Sequence, residues 1–167
     1  MKHLFCMLLI AAGCTSNLFA QTSKDKQAVQ TQIEAMLHSW NQHQFSDMDT
    51  YTTPDVDWVN IVGMRWKGRK EVQYAHEAFH KTMFKDVPVD LKSTDIRFIT
   101  KDVAVAHIIT HYGEFTTPGG NKMGNTDDIA TLVYVKKKGK WLLTAGENVS
   151  VSEGAKQHDP VNEMRAK

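Results

Sequence analysis

Residues 57–80, DWVNIVGMRWKGRKEVQYAHEAFH, constrain the fold more than any other part of the chain. Alternation puts Val56, Trp58, Asn60 and Val62 on one face of a predicted strand, with Asp57, Val59 and Ile61 on the other. Gly63-Met64 breaks that strand. A second short strand follows, and Gly68-Arg69 turns the chain into a helix expected over residues 70–84. Val72, Ala75, His76, Phe79, His80 and Met83 share one side of this helix. Indole, carboxamide and imidazole groups are thereby aimed at the interior of one domain. Buried polar groups need partners, so the mixture implies a cavity.

Ahead of this segment, Val29, Ile33, Met36, Leu37 and Trp40 recur at helical spacing over residues 25–43, with His43 closing the stripe. Ser46 suits the N-cap of a short second helix that stops before Pro54, with Met48 and Tyr51 facing inward. Four strands are predicted later, over residues 89–99, 103–115, 125–137 and 141–151. The Pro118-Gly119-Gly120-Asn121 loop joins the second to the third, and Gly139 turns into the last. The polar tail over residues 155–167 is expected to be flexible. Helices first and then an antiparallel meander define a single α+β domain over residues 21–154, with helices on one sheet face. A curved sheet wrapped around the N-terminal helix leaves a cone-shaped cavity.

The first twenty residues have the pattern of an export signal: Lys2 and His3, an apolar run from Leu4 to Ala12, and small residues before Ala20-Gln21. Removing them leaves 147 residues, with 19 of the 20 basic residues against 19 acidic ones. A balanced charge disfavours nucleic-acid and anionic-membrane partners. No apolar run is long enough to span a bilayer. Both cysteines, Cys6 and Cys14, lie in this segment, so a mature domain beginning at Gln21 has no thiol or disulfide chemistry. Ala11-Ala12-Gly13-Cys14 also fits a lipobox, which makes a lipid anchor at Cys14 the alternative. A periplasmic or secreted protein is expected.

DWVN on the first strand, WKGRKEV entering the helix, AHEAFH within it and the closing GKWLLTAGENVSV occur in an order that resembles the SnoaL-like, SgcJ/EcaC branch of the nuclear-transport-factor-2-like superfamily. The resemblance spans residues 28–150. It implies a cone-shaped fold, dimeric through the outer sheet face, holding a small apolar or amphipathic molecule. It also implies a superfamily of isomerases, cyclases, dehydratases and hydrolases, beside members without known activity. There is no GxGxxG loop after a strand, so no nicotinamide or flavin site is expected and no cofactor is assigned.

Cofactor-independent proton transfer needs a base and a donor for the developing oxyanion. Imidazole titrates near working pH, so His80 or His107 is the expected catalytic base. Trp58, Asn60, Trp66, His76, His111 and Asn148 are expected to line the ligand site, with Asn60, Asn148 and the indole N–H groups as donors. Asp57 and Asp128 are alternative working carboxylates; Asp57 lies opposite Trp58 and Asn60 in strand parity, and Asp127 and Asp128 split across faces. His76 and His80 at i, i+4, with His107 and His111 on one strand face, would form a four-histidine metal cluster only if that face is concave. Pocket lining is the plainer reading of the helical pair, and no metal is assigned. A non-enzymatic ligand-binding module is the competing function.

Overall fold

The computed structural model describes residues 9–166, with side chains from residue 23 onward. The expected export signal and the Cys14 anchor fall outside the residues whose side chains are described. Helix α1 (Leu9–Asn41) leads into a short 3-10 turn (Met48–Thr50), then strands β1 (Thr52–Val59) and β2 (Arg65–Lys67) and helix α2 (Gly68–His80). Strands β3 (Val89–Thr100) and β4 (Val103–Tyr112) follow, then a small hairpin of β5 (Phe115–Thr116) and β6 (Lys122–Met123). Strands β7 (Thr126–Lys137) and β8 (Lys140–Ser150) close the domain. The tail forms two short helices, α3 (Glu153–Lys156) and α4 (Val161–Arg165), neither with a buried residue.

The main sheet has six strands in the order β2-β1-β8-β7-β4-β3. Every pair is antiparallel except β1 with β8, and the sheet is open, ending at β2 and β3. Helix α1 lies in its concavity, burying Val29 and Ile33 completely against Ala104, Ala106, Leu132 and Tyr134. Both ends of the packed segment are tied to the sheet. Buried Asp25 pairs with Lys136 Nζ at 2.6 Å and accepts from Trp141 Nε1 at 3.0 Å. At the other end the Asn41 carboxamide donates to Val89 O and accepts from Val89 N, both at 2.9 Å. His43 then takes φ 53, a left-handed conformation that ends the helix.

Two register shifts decide which side chains face α1. On β8, Val133 pairs with Ala145 but Tyr134 pairs with Leu143, so β8 carries one extra residue there. Trp141 and Leu143 point inward before the shift, and Gly146 is buried after it. The shift therefore carries Asn148 and Ser150 to the concave side. A shift between Leu91 and Ser93 does the same on β3, turning Ile96 and Phe98 to the core.

Candidate functional site

A cavity of about 300 Å³ opens between α2, the concave sheet face and the β5–β6 hairpin. Its walls are mostly apolar, with aromatic rings prominent among them. Trp40 comes from α1, Trp58 from β1, Trp66 from β2, Phe79 from α2 and Tyr112 from β4, with Phe84 just after α2. Trp40 is the hub, meeting His80, Phe84 and Tyr112 with ring centroids 4.4, 5.1 and 5.2 Å away. Gly146 makes room for Trp58: a Cβ there would lie 2.4 Å from the indole ring. Val62, Met64 and Met123 form an exposed apolar rim.

Few polar groups interrupt these walls. His76 Nδ1 lies 2.8 Å from Val72 O, so the ring donates that N–H to the carbonyl and keeps its proton on Nδ1. Nε2 is left as an acceptor, with no hydrogen-bond partner among the described residues. Burial pulls the His76 pKa below its ordinary value, against an opposing effect of the Val72 hydrogen bond. Rings of Phe45, Trp66, Trp58 and Trp40 surround it at 5.3 to 6.0 Å. Asp128 on β7 supplies the cavity's carboxylate. Its Oδ2 accepts from Asn148 Nδ2 at 3.2 Å and its Oδ1 from Ser150 Oγ at 3.1 Å. Burial raises its pKa; the Ser150 and Asn148 hydrogen bonds oppose this and the nearby Asp127 charge adds to it.

Of the expected ligand-site residues, Trp58, Asn60, Trp66, His76 and Asn148 do line the cavity. Asn60 directly follows β1, and its Oδ1 accepts from the amides of Val62 and Met64 at 3.1 and 2.9 Å. Only its amide nitrogen is free for a ligand. His80 is a correction: it is buried behind Trp40 and Phe45 and does not line the cavity. Its Nδ1 lies 2.7 Å from His43 Nδ1, and its Nε2 is buried without a partner.

His107 and His111 are corrections too. Ala104, Ala106, Ile108 and Thr110 are the buried residues of β4, so both histidines point to the convex side. There His111 Nδ1 pairs with Asp127 Oδ1 at 2.7 Å. The four-histidine cluster therefore does not form, and no group of three or more metal-binding side chains comes together among the described residues. Asp57 is also on the outside, paired with exposed Arg65.

Strand alternation correctly separated Asp127 from Asp128, and Asp128 is the one that faces inward. Tyr112, Ser150 and the aromatic pair Phe84 and Phe115 were missed. The usable signal was the other parity of β4: Ala104, Ala106, Ile108, Thr110 and Tyr112 alternate with the histidine-bearing face.

An open, helix-filled, strongly curved sheet with an aromatic cavity is a nuclear-transport-factor-2-like, or cystatin-like, architecture. It superimposes with a TM-score of 0.80 on an uncharacterized protein with a cystatin-like fold from Caulobacter vibrioides. The two are 35% identical over 83% of this chain and 97% of that one. A nuclear-transport-factor-2-like protein from Salmonella enterica gives 0.68 at 16% identity, covering 79% of this chain and 94% of that one. A hexachlorocyclohexane dehydrochlorinase gives 0.69 at 12% identity, covering 80% and 89%. The SnoaL-like domain model matches residues 33–143. The chain belongs to the SnoaL-like domain family. No curated protein matches its sequence.

Proposed function

We propose that this protein binds a small, largely apolar or amphipathic molecule in the cavity, and that His76 Nε2 accepts a proton or hydrogen bond from it. The observation that carries this reading is the His76 geometry. Its Nδ1 proton is committed to Val72 O, so the basic nitrogen is the free one, and the ring is neutral inside aromatic walls. A neutral imidazole with a free lone pair is the form a general base needs. The indole N–H groups of Trp58 and Trp66 and the Asn60 amide are the neighbouring donors for a developing oxyanion. The reaction class is cofactor-independent proton transfer, as in an isomerase, cyclase, dehydratase or hydrolase. The dehydrochlorinase with the same fold is consistent with that class.

A non-enzymatic binding role is favoured by one observation. No carboxylate orients His76; a backbone carbonyl does. The first twenty residues support export to the periplasm or beyond, with lipidation at Cys14 as the alternative. Apolar patches on the convex face, around Val103, Val105, Val133 and Val135 and around Ile109, Ile129 and Val149, support a homodimer. No helix among the described residues is long and apolar enough to cross a membrane.

Native mass spectrometry of protein purified from its own host tests the binding and export readings together. The expected spectrum shows a co-purified small molecule on a chain beginning at Gln21, or on a lipidated chain beginning at Cys14. For catalysis, His76→Gln should lower turnover of the compound so identified by about 10²–10⁴-fold with binding retained. Unchanged turnover removes His76 from the chemistry; binding without turnover in the unaltered protein leaves the carrier role.

A further inference from the structure

The Asp128 carboxylate is only 5% exposed, yet it lies on the cavity wall and receives neutral donors alone. Among the described residues lining the cavity there is no lysine or arginine, and His76 is held neutral by burial. A carboxylate taken out of water without a counter-ion is costly: it takes up a proton more readily, as its raised pKa shows, unless an opposite charge is brought to it. Asn148 and Ser150 occupy one lone pair on each oxygen and orient the group, which leaves further acceptor positions on both.

The surroundings have the matching chemistry. Tyr112 pairs across the ladder with Thr126, two residues before Asp128, and its phenol is pushed up in pKa by burial and then by the Asp128 charge. Trp40 meets Tyr112 edge-on, and Phe84 packs against both Trp40 and Phe115. Ring faces attract cations through their quadrupoles, and a charged carboxylate adds short, charge-assisted hydrogen bonds. Against the ionised carboxylate, a neutral ketone or ether would bring only acceptors to an acceptor, and a ligand carboxylate would be repelled, whereas an ammonium ion holds Asp128 in that ionised form.

We infer that the cavity selects an organic ammonium ion, a primary or secondary amine on an aromatic or alicyclic body. The nitrogen sits at Asp128 and the body lies against Trp58, Trp66 and Phe79. This rests on the reading that the cavity binds a small molecule and adds the charge that molecule carries. A volume of about 300 Å³ lies at the small end of ligand sites and suits one or two fused rings with a short amine arm.

Isothermal titration calorimetry of the whole protein with three probes of one shape tests the inference: naphthylmethylammonium, naphthylmethanol and naphthoate. The ammonium should bind roughly ten-fold or more tightly than the alcohol, and the naphthoate more weakly than either. Asp128→Asn should abolish the ammonium preference while the alcohol still binds. The comparison of probes on unaltered protein stands even if the variant does not fold. Equal or tighter alcohol binding, or an ammonium preference that survives Asp128→Asn, overturns the inference and leaves the ligand cavity intact. Failure of all three probes to bind overturns both.

Discussion

His80 and His43 make one unit at the C-terminal end of α1. Their Nδ1 atoms are 2.7 Å apart, so one Nδ1 donates its proton to the other. Burial first, then repulsion from any proton charge on the neighbouring His43 and His76 rings, holds the His80 pKa down to about 3. Because the unfolded chain protonates near its ordinary value of about 6.5, His80 contributes stability that is complete above that pH. The contribution is lost as pH falls toward 3, with a slope of up to about 1.4 kcal/mol per pH unit, and His76 adds in the same direction. Imidazole chemical shifts read by NMR should show His80 neutral at pH 5. Denaturation midpoints for His80→Phe should flatten that acid slope; an unchanged slope would assign the protons to other groups. The role this leaves His80 is to hold Trp40 edge-on at the cavity wall. Sequence periodicity could show that His76 and His80 share a helix side. It could not show that one reaches the cavity while the other stops behind Trp40, since that depends on where α1 lies.

Strand β8 is the element on which the site depends. Its extra residue between Val133 and Tyr134 of the partner ladder reverses the parity, so Gly146, Asn148 and Ser150 join Trp141 and Leu143 on the concave side. Asp128 would otherwise lose both of its side-chain donors. Gly146 is the tightest point, because the Trp58 ring occupies the space a side chain would take. Gly146→Ala should cost about 1–3 kcal/mol through overpacking. It should also push the indole toward the cavity, lowering ligand affinity while the backbone stays folded. A thermal melt with far-UV circular dichroism reads the first effect, and calorimetry with naphthylmethanol the second. A variant as stable as the parent, with unaltered binding, would show that the strand moves instead. Residues 141–151 read clearly as a strand. The bulge within it left no mark in the alternation, because Thr144 and Ala145 fit either face.

For the whole molecule, the convex sheet face carries two apolar patches separated by polar residues. Val103, Val105 and Ile109 of β4 adjoin Ile129, Val133 and Val135 of β7, and exposed Val149 extends the patch onto β8. His107 and Thr131 divide these residues into the two patches, and His111 and Asp127 bound them, so their apolar area motivates a test of association with a second copy. Sedimentation velocity at tens of micromolar should give a dimer for the unaltered protein and a folded monomer for Ile129→Lys; a monomeric parent would remove the dimer from the account. The same face explains the misplaced histidines. Val103, Val105 and Ile109 carry His107 and His111 with them in parity, and apolar residues ordinarily mark the inside. Here both faces of β4 carry apolar residues, with Ala104, Ala106 and Ile108 on the inside, so alternation alone does not say which face is concave. Local patterns in the sequence were sufficient for the element order, the α+β class, the helix stripe and the Trp58, Asn60, Trp66 and His76 wall, because periodicity and turn residues act over a few positions. Which β4 face is concave, which helical histidine reaches the cavity and how Asp128 gathers Asn148 and Ser150 were decided only by tertiary structure. Those outcomes depend on sheet curvature, one bulge and the depth of α1, which are set by packing between residues far apart in the chain.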